Sequence, residues 1–131
     1  MKLYEQHLFD GIGYQKLFHY NAWRVAILNY IDELDCDNIT HFQAHLNTDE
    51  AFVLLEGEAI IFFLNEDQSI EAVSLQKNVV LNVKKGVYHN HTLSKDAKLL
   101  IIENEDTCDE NSPHYELSLE QRAFIIKHKV G

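Results

Sequence analysis

Hydrophobic and polar residues alternate along most of this chain with the two-residue period of a β-strand, and a helical period emerges only near the C-terminal end. Over residues 22–31, Trp23, Val25, Ile27 and Ile31 share one face, with Arg24 and Tyr30 on the other. After the polar turn at 32–38, strand-like segments follow one another at 39–45, 51–55, 58–64, 70–76, 79–83, 87–92 and 98–103. A spacing of about 8–12 residues with turn signals between predicts a sandwich or barrel. Glu56-Gly57 joins two of these segments as a tight hairpin, and residues 65–68 join the next pair. The acidic stretch 103–116 reads as a solvated loop, and the first twenty residues as an irregular or edge segment. Ser118 and Gln121 form a capping-box pattern for a helix over about 118–129. Leu119, Ala123, Ile126 and Val130 share one face of that helix, and Lys127, His128 and Lys129 suit the negative end of its dipole. The pattern predicts one all-β domain over residues 1–131, with a barrel at about 20–105 and a C-terminal α-helix packed outside it.

Composition narrows the functions open to such a domain. Of 131 residues, 46% are hydrophobic and 24% charged, enough apolar material for a real core. Lys and Arg number 11 against 21 Asp and Glu, a formal charge of −10 that repels phosphate backbones and anionic lipid. Nucleic acid and membrane surfaces are therefore excluded as partners. No apolar run approaches the ~20 residues of a membrane span. The opening residues carry acid and amide where a signal peptide is apolar, so the expected compartment is the cytoplasm. Cys36 and Cys108 stand far apart without a CxxC pattern and are expected as free thiols. Metal chemistry, if present, then uses His, carboxylate or amide ligands.

Such groups are concentrated in two places. His41, Gln43 and His45 alternate onto one strand face, a short turn follows, and Glu50 opens the next strand. Adjacent strands lie ~4.8 Å apart, which lets Glu50 return to His45. Further on, His89 and His91 share a second strand face. Two histidine-bearing strands and one glutamate make a set of nitrogen and oxygen donors for a divalent metal. Glu50 as a buried partner of His45, with no ion between them, is the alternative.

At these residues the chain resembles the cupin superfamily. That family's first motif runs histidine, a second histidine two residues on, then glutamate and glycine; His45, Glu50 and Gly57 fall at its later positions and Gln43 at the first. Gly86 and His89 match the centre of the second motif, where Lys84 replaces a proline and Leu93 an asparagine. The likeness spans about residues 39–103. It implies an all-β cupin-type jelly-roll β-barrel, with a metal site of Gln43, His45, Glu50 and His89. Two histidines, a carboxylate and a weak amide ligand suit Zn, Fe, Mn or Ni. His91, roughly 6.6 Å further along its strand, is expected at the pocket mouth as a candidate catalytic acid or base.

Two functions remain open from these residues. One is a divalent-metal enzyme acting on a small oxygenated metabolite. The other is a non-enzymatic, possibly metal-free protein binding a small, sugar-like molecule. A homodimer is expected in either case, because an amphipathic helix and an aromatic N-terminal segment offer surface to bury.

Overall fold

The structure is a computed structural model and describes residues 2–131. Two five-stranded antiparallel sheets face each other. The strands are β1 (Tyr14–Tyr20), β2 (Trp23–Asn29), β3 (His41–Gln43), β4 (Glu50–Glu56), β5 (Ala59–Leu64), β6 (Ile70–Ser74), β7 (Val80–Val83), β8 (His89–Leu93), β9 (Lys98–Asn104) and β10 (His114–Glu116). The first sheet runs β1-β2-β9-β4-β7 and the second β10-β3-β8-β5-β6. Helix α1 covers Leu119–Ile126, shorter than its apolar pattern suggests, and Ser118 and Gln121 close the capping box reciprocally.

The unbroken apolar run of β5 shows how the layers are built. Ala59 and Ile61 face the first sheet and join Phe52, Leu54, Leu99 and Ile101 in the barrel core. Ile60 and Phe62 point the other way, into a second cluster with Phe42, Cys36, Ile39 and Ile125. A strand buried on both faces cannot alternate in polarity. The helix docks there through Ile125, which is fully buried, whereas Leu119 on the expected face is 81% exposed. Leu117 and Val130, flanking α1, pack on the same cluster, so contacts outside the helix choose which stripe goes down.

Strand parity is also informative in β2. Trp23, Val25 and Ile27 lie on the outer face of the first sheet, and Arg24 points inward with Ala26 and Leu28. The stretch expected as a loop contains β10, whose pairing with β3 puts His114 opposite Gln43. Cys36 is buried, Cys108 is exposed, and both are free. Among the described residues no helix is long and apolar enough to cross a membrane.

Candidate metal centre

Three turns bring the donor groups together. Gly86 has φ +79°, a left-handed conformation that suits glycine, and its N–H donates to the His45 carbonyl at 2.8 Å. That bond ties the turn before β8 to the end of the β3 segment. Asp49 accepts from the Lys85 N–H and from Asn82 Nδ2, both at 2.9 Å, so the turn is also fixed to the residue before Glu50. At the other end Gly57 (φ +74°) closes the β4–β5 hairpin, where a Cβ would stand 2.5 Å from Ala97 Cα.

His45, Glu50 and His89 then converge inside the barrel, with one ligand atom from each lying within 4.8 Å of the others. Glu50 Oε1 is 3.1 Å from His45 Nε2 and 2.9 Å from His89 Nε2. Glu50 and His89 are 6% and 4% exposed.

The outer nitrogens of both rings fix the tautomer each adopts when neutral. His89 Nδ1 lies 2.9 Å from the Val87 carbonyl, which only accepts, so Nδ1 carries a hydrogen. His45 Nδ1 lies 2.8 Å from Ser112 Oγ, and that hydroxyl donates onward to Asn111 Oδ1 at 3.2 Å. Asn111 Oδ1 also accepts from the Cys108 N–H, which fixes the amide's orientation. His45 Nδ1 is therefore a donor as well. In the neutral tautomers both Nε2 lone pairs point at one carboxylate oxygen. Three acceptors facing one another need a cation between them, either a proton or a metal.

The charges respond to this arrangement. Burial opposes ionisation of Glu50, but the hydrogen bonds from His45 and His89 outweigh it and hold the carboxyl down at about 2. Burial pulls the His45 imidazole down, and its bond to Glu50 more than restores it, to above the ordinary histidine range.

The remaining expected site residues lie around this group. Gln43 sits opposite His89 in register, but its Nε2 donates to the Ser112 carbonyl at 3.1 Å and lies 3.3 Å from His114 Nε2. It is tied toward β10. His91 lines the same cavity as the three donors, on the face of β8 that carries His89; its ring lies 5.7 Å from that of Phe52, and its Nδ1 is sealed from solvent without a partner. Burial pushes its imidazole down to about 4, so it is neutral near pH 7. His41 stacks on His114 with ring centroids 4.2 Å apart.

The cavity these residues line measures about 660 Å³. Tyr14, Arg24 and Glu103 line it too, and Ser112 closes one side. Glu103 Oε2 accepts from the Tyr14 hydroxyl at 3.1 Å and lies 3.4 Å from Arg24 Nη2. Burial and the nearby Glu50 charge raise its carboxyl above the ordinary range. Strand parity was the available signal for this pair. Glu103 is in phase with core Leu99 and Ile101, and Arg24 with Ala26 and Leu28.

Comparison with protein-family models and with curated proteins finds no match. Solved structures do match. A cupin-2 domain-containing protein from Shewanella frigidimarina is 23% identical, with a TM-score of 0.54 over 79% of this chain and 86% of that one. Streptomyces PAC13 with uridine is 11% identical, with a TM-score of 0.63 over 92% and 96% of the two chains. HppE with Fe(II) is 19% identical, with a TM-score of 0.55, and the likeness spans 69% of this chain but 48% of HppE. Taken with the two-sheet barrel and its C-terminal helix, these likenesses give the chain the fold of the cupin superfamily.

Proposed function

We propose that the barrel holds one divalent ion on His45 Nε2, Glu50 Oε1 and His89 Nε2, and acts on a small oxygenated molecule in the adjoining cavity. The convergence of two imidazole lone pairs and a carboxylate oxygen, with both tautomers set from behind, carries this reading. When bound, such an ion supplies Lewis acidity toward a hydroxyl, carbonyl or carboxylate oxygen. Ser112 and the Val87 carbonyl hold the rings in orientation. His91 offers the ligand a neutral imidazole, and Gln43 flanks the site as a polar wall. HppE with Fe(II), and PAC13 with uridine, elsewhere described as a nucleoside dehydratase, are precedents on this fold for a metal and for a small hydroxylated ligand.

The test is metal analysis of protein purified without chelators, followed by titration with Zn(II), Fe(II), Mn(II) and Ni(II). One equivalent of ion bound, lost in His45→Ala and His89→Ala, is the expected result. Binding of none of the four refutes the reading. Contacts of 2.9 and 3.1 Å are also hydrogen-bond lengths, which favours, as the second reading, a metal-free site that shares a proton and binds a small molecule without turnover.

A homodimer belongs to the same proposal, through the outer face of the first sheet rather than the helix. Two cross-strand rows, Val25–Ile102–Ala51 and Ile27–Leu100–Val53–Val80, make that face apolar. Ile102 and Val80 are 39% and 64% exposed there. Sedimentation should give twice the 15.2 kDa of one chain; a monomer at high micromolar concentration refutes it.

A further inference from the structure

The row of the first sheet that carries Glu50 carries two more ionisable groups. Arg24 pairs with Glu103 across β2 and β9, and Ala51 pairs with Ile102 across β4 and β9. One step beyond that second pair, Glu103 stands opposite Glu50. Arg24, Glu103 and Glu50 are 6%, 5% and 6% exposed, on an inner face otherwise made of Ala26, Leu28, Phe52, Leu54, Leu99 and Ile101. Like charges directly across from each other oppose sheet formation, and more so where water is excluded. An apolar pair would pack there without that cost.

The hydrogen bonds divide the Glu103 carboxylate in two. Oε2 is held by the Tyr14 hydroxyl and the Arg24 guanidinium. Arg24 has little left to offer a ligand, because its Nε donates to Tyr14 Oη at 3.0 Å and its Nη1 to the carbonyls of Glu105 and Thr107 at 3.0 and 3.3 Å. Oε1 takes no hydrogen bond from the described residues, and Glu103 lines the same cavity as His45, Glu50 and His89. Two buried carboxylates, Glu50 and Glu103, thus share this inner face with one guanidinium. A buried carboxylate with one oxygen clamped and the other without a hydrogen bond, lining the cavity of three converging donors, is arranged for a cation.

We propose that Glu103 is the second carboxylate of the cation site, reaching the ion through a bridging water and supplying the charge that Gln43 does not. A water is required because Glu103 does not join the group of donors lying within 4.8 Å of one another. Arg24 acts as the positioning residue that holds Oε2, while the Tyr14 hydroxyl, by donating to the same oxygen, draws negative charge from it. The proposal rests on the metal reading above and adds a residue from a different strand, outside the motif positions.

The test is the affinity of the full-length chain for whichever of Zn(II), Mn(II), Fe(II) and Ni(II) binds wild type most tightly, measured by chelator competition. Glu103→Gln preserves shape and should weaken binding roughly 10- to 100-fold, the range for outer-shell partners of metal ligands. Glu71→Gln, an exposed carboxylate on β6, should leave affinity unchanged and controls for net charge. Tyr14→Phe frees Oε2 and concentrates charge on Glu103, so it should tighten binding about two-fold or more; a merely structural role for the cluster would weaken it. Should Glu103→Gln fail to fold, Tyr14→Phe decides alone, and unchanged or weaker binding overturns the proposal. Wild-type affinity in Glu103→Gln overturns it while leaving the three-residue site standing. Failure of wild type to bind any of the four ions overturns the metal reading, and this proposal with it.

Discussion

Replacing Glu50 by Gln should change the stability of the metal-free protein in opposite directions at acid and alkaline pH. The substitution keeps shape but exchanges a charged acceptor for an amide that can also donate. In wild type the carboxyl falls from an ordinary 4.5 to about 2. That contributes about 3 kcal/mol, fully present above pH 4.5 and lost as pH falls through 2. The His45 imidazole moves the other way: its raised folded value gives stability present below about pH 6.5 and lost as pH climbs through the folded value. The cluster is therefore most favourable between about pH 4.5 and 6.5, where an imidazolium meets a carboxylate. In that window Glu50→Gln should cost about 3 kcal/mol. As pH climbs above the raised His45 value that imidazolium loses its proton, and the buried carboxylate then faces a lone pair. Gln at that position donates an N–H to it, so the variant should equal or exceed wild type by about 1–2 kcal/mol. Urea unfolding in the presence of a chelator at pH 5.5 and 8.5 measures both. Repeating it with metal at 100 times Kd adds about 2.7 kcal/mol to wild type and little to the variant. A Glu50→Gln protein that is less stable by the same amount at both pH values would refute the tautomer argument, because proton sharing would then not set the energy of the site.

Three further outcomes follow from the same geometry. His89→Ala should abolish metal retention in elemental analysis, whereas His41→Ala, which loses a ring stacked on His114 outside the donor group, should retain a full equivalent. His91→Leu should remove an acid sensitivity: with the folded value near 4 against an ordinary 6.5, the neutral ring's contribution is complete above pH 6.5 and about 3 kcal/mol is lost as pH falls through 4. Denaturant melts of His91→Leu at pH 7 and 4 should differ by that much less than those of wild type. Gly57→Ala should cost about 3 kcal/mol or more through contact with the Ala97 backbone, and Gly86→Ala, whose added Cβ meets nothing within 4 Å, only about 1 kcal/mol from its positive φ. Equal costs in urea melts would contradict that difference in surroundings.

The parts of this molecule legible in its sequence are those encoded over a few neighbouring residues. Alternation and turn residues locate β4 through β9 to within about two residues, and the Ser118–Gln121 box marks where α1 begins. The three converging donors were legible because each motif carries its own turn: Gly86 and the 46–49 turn orient His89 and Glu50 through local backbone geometry. What was not legible depends on partners distant in sequence. Strand β10 has three residues, and its pairing with β3 rather than its own pattern makes it a strand. The buried stripe of α1 is chosen by Ile125 meeting Phe42, Ile60 and Phe62, a contact that no helical wheel contains.

Arg24 and Glu103 show how the missing information arises. Read alone, β2 presents Trp23, Val25 and Ile27 as its apolar face, which by the usual rule turns Arg24 outward. The structure inverts that face: the apolar residues line the outside of the first sheet, and Arg24 points into the barrel beside Glu103. Such an inversion costs stability on both faces, since it buries a charge inside and leaves Trp23 42% exposed outside. Each cost needs its own compensation. Inside, the Tyr14, Glu105 and Thr107 bonds satisfy the guanidinium, and its charge is matched by a carboxylate one strand away from Glu50. Outside, a second copy of the chain is the proposed cover. The ion site and the dimer face then share an origin in the register of β2 against β9, since shifting that pairing by one residue would turn Arg24 to solvent and Trp23 into the barrel. Disruption of the outer face by Ile102→Glu should accordingly yield a monomer that still binds metal, because Ile102 and Glu103 sit on opposite sides of one strand. A monomer that has lost the ion would mean that the two faces are coupled through the strand itself.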